Sequence, residues 1–168
     1  MLGDITDIKQ ALNLILSSDK FSQMVASIVA EKQAYIPGCP NPLANRPATV
    51  YSNERLTKLI FPMAELLAHQ TVYPQLDTMV KQGCQRVGIR WTVLEKNEET
   101  ATLAVEILVR ATVDLLWNPR NAGLLADTLL NAGPLIITEE DYAPLLPDAK
   151  GAFQKSAIVL VDITTWRD

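Results

Sequence analysis

The residues that could carry chemistry are few, and their spacing decides what they can do. His69 is the only histidine. It is the one group that could sit neutral and basic near pH 7 and activate a serine or cysteine nucleophile. It lies in Leu66-Leu67-Ala68-His69-Gln70, beside no G-x-S-x-G or comparable nucleophile turn, so a structural or surface role outweighs a catalytic one. Cys39 and Cys84 form no C-x-x-C pair, and with a single histidine they cannot complete the three or four N/S ligands of a transition-metal site. Glu139, Glu140 and Asp141 are adjacent. Acids so placed do not converge as paired carboxylates or hard-cation ligands do, and they read as a solvated cluster. Neither G-x-x-x-x-G-K-[ST] nor G-x-G-x-x-G occurs, so the loops that cradle a nucleotide's phosphates are missing from the sequence. Arg86 and Arg90 lie on one face of an alternating stretch. There they suit phosphate contact less well than ion pairing with the surrounding acids. The expectation is therefore a protein without enzymatic activity, cofactor or metal.

The elements that position these residues belong to a chain of 168 residues, the size of one α+β domain with a single core. The composition is 48% hydrophobic and 20% charged, which argues for a folded protein and against disorder. A net charge of -4 removes the attraction on which non-specific binding to nucleic acid or an anionic membrane depends. No apolar run approaches the roughly 18 residues of a membrane span. Met1-Leu2-Gly3-Asp4 has no basic n-region, so a soluble protein without an N-terminal export signal is expected. The two separated cysteines suit a reducing compartment.

Helical spacing of Ile8, Ala11, Leu12 and Ile15 predicts a helix over 5–16, with Asp4 as its cap. Phe21, Met24, Val25, Ile28 and Val29 predict a second helix, ending near Lys32. Four prolines between Pro37 and Pro47 mark an extended excursion over about residues 34–47. Ala48–Tyr51 reads as a strand, and so does the second part of Leu59–Val72, where Pro62 forbids a helix. Val87, Ile89, Trp91 and Val93 alternate with Arg86, Gly88, Arg90 and Thr92, a strand with one face in the core and one towards water or a partner.

Asn97 caps a helix to about Trp117, with Glu98 and Glu99 in its favourable first turn. Glu106, Arg110 and Asp114 form its one wet stripe. The rest is so apolar that its flanks need cover from the preceding helices or from another subunit. A shorter helix is expected over Asn121–Asn131 and a strand over Leu135–Thr138. A protruding loop is expected over about 139–152, with acids and two prolines. The last strand, Ala157–Ile163, is apolar on both faces and so central. The fold class is α+β, an antiparallel or mixed sheet packed against N-terminal helices and one long central helix.

Arg90-Trp91-Thr92-Val93-Leu94-Glu95 leads straight into an acid-started helix. Thr138-Glu139-Glu140-Asp141-Tyr142-Ala143-Pro144-Leu145 follows, and then Gly151-Ala152-Phe153-Gln154-Lys155-Ser156-Ala157 enters the last strand. In this order of elements the chain resembles the tail terminator and tail-completion proteins of long-tailed bacteriophages. The resemblance implies a virion subunit, assembled in the host cytoplasm, forming a ring, commonly of six, at the head-proximal end of the tail tube. Its partners would be itself, the tail tube protein and a neck or connector protein, with no membrane. DNA would pass through without sequence-specific binding. Glu139, Glu140, Asp141, Tyr142, Arg86 and Arg90 then become candidates for the lumen or for contacts between neighbours, since a lumen lined by acids repels phosphate and lets the duplex slide. The excursion and the Asn121–Asn131 segment exceed a minimal terminator, leaving another neck or head-tail connector role open. The competing class is a small-ligand-binding regulatory α+β module.

Overall fold

In the computed structural model, residues 5–54, 57–72, 81–117, 135–148 and 150–167 are described. The predicted cap Asp4 and the predicted helix Asn121–Asn131 lie outside them. The elements run α1 (Ile5–Leu16), α2 (Asp19–Gln33), β1 (Thr49–Tyr51), β2 (Met63–Val72), β3 (Lys81–Glu95), α3 (Glu98–Trp117), β4 (Leu135–Tyr142), β5 (Leu146–Pro147) and β6 (Phe153–Arg167). The α1–α2 break is a capping event. Ser18 Oγ accepts the Phe21 N–H at 3.2 Å and donates to the Ile15 carbonyl at 2.6 Å, so one hydroxyl closes α1 and opens α2. At α3, Asn97 Oδ1 accepts the Thr100 N–H at 2.7 Å, the cap its sequence predicts.

The sheet order is β1-β2-β3-β6-β4, with β5 pairing β6 outside that path. Among the described strands only β1–β2 is a parallel pair, so the sheet is mixed. β6 lies between β3 and β4, the interior position that its two apolar faces require. Val87, Ile89, Trp91 and Val93 of β3 and Ala157, Val159, Val161 and Ile163 of β6 are buried on the face that α3 covers. Trp91 anchors this layer. Its ring stacks on Phe21 of α2 with centroids 5.4 Å apart and planes 1° from parallel.

The apolar flank of α3 is covered from within the chain. α2 packs along it, and Arg110 reaches Glu31 of α2 at 2.8 Å while remaining 3.5 Å from Asp114. Glu106 faces Lys32 of α2 at 3.9 Å, so the wet stripe of α3 binds α2 as well as itself. Another subunit is not required to explain this helix. Ile36, Cys39, Leu43 and Ala48 tether the proline-rich excursion to the core, and Gln33 donates to the Cys39 carbonyl.

One expectation is corrected. The protruding loop predicted from residue 139 is strand up to Tyr142, because β4 continues through Glu139, Glu140 and Asp141, paired with Leu160, Val159 and Ile158. A register shift between Ile137 and Glu139 accommodates an extra residue at Thr138. Acids suit an edge strand, where one side of the ladder meets solvent. Leu146–Pro147 then pairs with Gln154 and Phe153, an edge position that tolerates proline. Gly151, with φ +77, makes the turn into β6.

Candidate functional site

The face of the sheet opposite α3 carries both predicted arginines, each bound to the residue directly across the ladder. Arg86 donates to Asp162 of β6 through Nε at 2.7 Å and Nη2 at 2.8 Å, a bidentate pair. Arg90 donates through Nε to Glu65 of β2 at 2.8 Å and through Nη2 to Glu54 at 3.0 Å. Glu65 is 1% exposed, and Arg90 sets a counter-charge directly against it. The hydrogen bond that Arg90 donates to Glu65, opposed by desolvation and reinforced by the one to Glu54, holds Arg90 above the usual arginine range. Between the two arginines Gly88 leaves a gap that Ile158 fills. A Cβ built at Gly88 would lie 2.8 Å from Ile158 Cδ1 and 3.3 Å from its Cγ1.

These arginines are therefore structural cross-strand ties, the reading that two arginines among acids called for. Their partners were missed from sequence. Asp162 is the lone acid in an apolar strand, which is a usable signal. Glu65 lies in the second part of Leu59–Val72, which reads as a strand, but its place opposite Arg90 is set by register.

The predicted acids sit elsewhere, on β4 at the edge of the sheet, with Asp141 exposed and Tyr142 41% exposed. The fold thus separates the six candidate residues into a paired set on one face and an edge set. At the opposite edge, β1, the outward carbonyls are taken. The ladder bond from the Thr49 N–H to the Pro62 carbonyl at 3.1 Å turns the Val50 and Ser52 carbonyls outward. Asn13 Nδ2 donates to the Val50 carbonyl at 3.3 Å, and Lys9 Nζ donates to the Ser52 carbonyl at 2.7 Å and to Asn53 Oδ1 at 3.1 Å. Burial lowers the pKa of Lys9. Two polar side chains one turn apart on α1 thus occupy the acceptors of this edge.

A polar-lined cleft of about 230 Å³ opens where the excursion meets the end of β3. Asn41, Asn45, Arg46, Phe61 and Glu95 contribute to its wall, and burial pushes the Glu95 carboxyl up from the ordinary range. Sequence reasoning missed this site because its lining comes from three separate segments.

His69 is exposed at the register shift of β2, between Ala68 and Gln70. Among the described residues no group of three or more His, Cys, Asp or Glu is placed to hold a metal ion. Among them, too, no helix is long and apolar enough to cross a membrane.

No family model matches the chain. No curated protein matches it either. Among solved structures, it is similar to a chain from the virion of a native gene transfer agent particle. The alignment covers 88% of this chain and 99% of that one, at 13% identity and a TM-score of 0.41.

Proposed function

We propose that the chain is a structural subunit of a tailed virion, of the tail-terminator kind, forming a ring at the head-proximal end of the tail tube and joining tail to head. The observation that carries this reading is the order and packing of the elements. A helix pair leads into a short strand, the long strand β3 passes through the Asn97 cap into α3, and β6 returns through the middle of the sheet. That is the arrangement on which the resemblance to tail terminators rests. In this reading the subunit has no catalytic activity and no cofactor, and its partners are its own copies, the tail tube and a neck or connector protein. The strand that carries Glu139, Glu140 and Asp141 borders the passing DNA or a neighbour in this reading, and its charge favours sliding over binding.

Native mass measurement and negative-stain microscopy test it, on the protein alone and after mixing with isolated tail tubes. A ring of about six, or density added at one end of the tube, is the expected result. A monomer or dimer that ignores tubes refutes the reading. Within the ring, changing Glu139, Glu140 and Asp141 together to lysine lowers infectivity if they line the lumen, and unchanged infectivity removes that assignment.

A second reading, a small-ligand-binding module, is favoured by the Asn41–Glu95 cleft, whose polar groups come from separate segments. A thermal-shift screen separates the two, since a ligand at a hundred times its dissociation constant adds about 2.7 kcal/mol of stability.

A further inference from the structure

The two edges of the sheet differ in a way that assigns a binding role to one of them. β1 is three residues long and its outward carbonyls are taken by Asn13 and Lys9. β4 is eight residues long and has β6 as its one neighbour among the described strands. The direction of its backbone groups follows from the ladder. Ala143 donates its N–H to the Ser156 carbonyl at 3.0 Å, so Ala143 faces β6. By alternation Asp141 faces β6 and Glu140 faces outward. Beyond the register shift, Ile136 opposite Asp162 faces β6 and Ile137 faces outward. The outward N–H and C=O groups of Ile137 and Glu140 therefore lie along an edge that a further strand can extend.

The charge on β4 selects what can be added. Glu139, Glu140 and Asp141 are consecutive on this strand. Pairing β4 with β4 of a second copy sets acids beside acids, which like-charge cross-strand pairs disfavour. Pairing it with β1 of a second copy meets an edge already occupied by α1. An extended segment carrying lysine or arginine meets both requirements, supplying ladder partners and opposite charge. We propose that β4 is the docking edge for a basic extended segment of another protein, added as a further strand beside Ile137–Tyr142. The proposal does not depend on ring formation, and holds equally for a monomer.

The probe is an acetylated, amidated peptide of about eight residues that alternates lysine with threonine and valine, titrated into the full chain. Its glutamate counterpart and a version N-methylated at alternate residues serve as controls. The expected result is binding of the lysine peptide with slowed hydrogen exchange at the Ile137 and Glu140 amides. Affinity falls about fivefold when Glu139→Gln and Asp141→Asn are combined, the two acids that strand alternation puts on the same side as the lysines of the peptide. N-methylation abolishes binding, because it removes the donors of the added strand.

Glu140→Pro provides a second arm. It removes an outward N–H and spares the β6 ladder, so the fold is kept and peptide binding is lost. If that variant fails to fold, the N-methylated peptide on the unaltered chain still decides. The proposal is overturned by absence of binding at millimolar lysine peptide, by equal binding of the N-methylated peptide, or by protection that maps away from β4.

Discussion

Trp91 donates its indole N–H to the Thr112 hydroxyl at 2.8 Å, and Thr112 donates in turn to the Leu108 carbonyl at 2.8 Å. Both residues are fully buried, and no side-chain polar atom buried in the described structure lacks a partner. This hydrogen bond ties the central sheet to α3 at the point where Phe21 of α2 also stacks on the indole. Thr112→Val keeps the shape and strands the N–H, at a cost of about 1–3 kcal/mol. Thr112→Ser keeps the bond and loses less. Urea unfolding followed by fluorescence measures both, and a valine variant as stable as the parent would show that the bond contributes nothing.

Arg90 neutralises a carboxylate that has almost no access to water. Arg90→Met removes the guanidinium from the buried side chain of Glu65, which costs about 3–5 kcal/mol. Chemical unfolding of variant and parent at pH 7 reads the deficit directly, and a variant as stable as the parent would refute it.

Glu95 gives a pH dependence. Burial raises its pKa above the unfolded value, so its contribution favours folding below the unfolded pKa and is lost as pH rises through the folded one. Glu95→Gln therefore raises the melting temperature relative to the parent at pH 7, and the difference closes towards pH 4. Melting curves across that range are the measurement.

At Gly88 the decisive neighbour is the side chain of Ile158, which occupies the space a larger residue would need. Gly88→Val destabilises by about 1–3 kcal/mol through overpacking. Ile158→Ala combined with it restores part of that loss. A double-mutant cycle with no coupling between the two positions would show that Ile158 is not the obstacle.

Much of the fold was legible in the residues themselves. Helical spacing located α1 and α2, the Asn97 cap located α3, and alternation in Val87–Val93 located β3, since each signal is local. The two apolar faces of Ala157–Ile163 placed β6 in the sheet interior for the same reason. The end of β4 was not legible. Glu139-Glu140-Asp141 followed by Pro144 looks like a loop to any local rule, and only pairing with β6 keeps it extended. The candidate site divided along the same line. Ion pairing of Arg86 and Arg90 followed from the acids around them, but their partners lie 76 and 25 residues away in sequence and are chosen by strand register. The closure of β1 by Lys9 and Asn13 has no sequence signature, because it depends on where α1 comes to lie.

That closure has a consequence best put in the language of polymer chemistry. A monomer with two reactive ends propagates a chain, and a monomer with one ends it. With the outward carbonyls of β1 taken and β4 flanked by β6 alone among the described strands, this sheet is, under the proposal, monofunctional: it offers one edge for an added strand instead of two. The runaway edge-to-edge stacking that makes sheet proteins aggregate is thereby stopped at its first step. A protein at high local concentration can use such a sheet for one contact without turning it into a fibre.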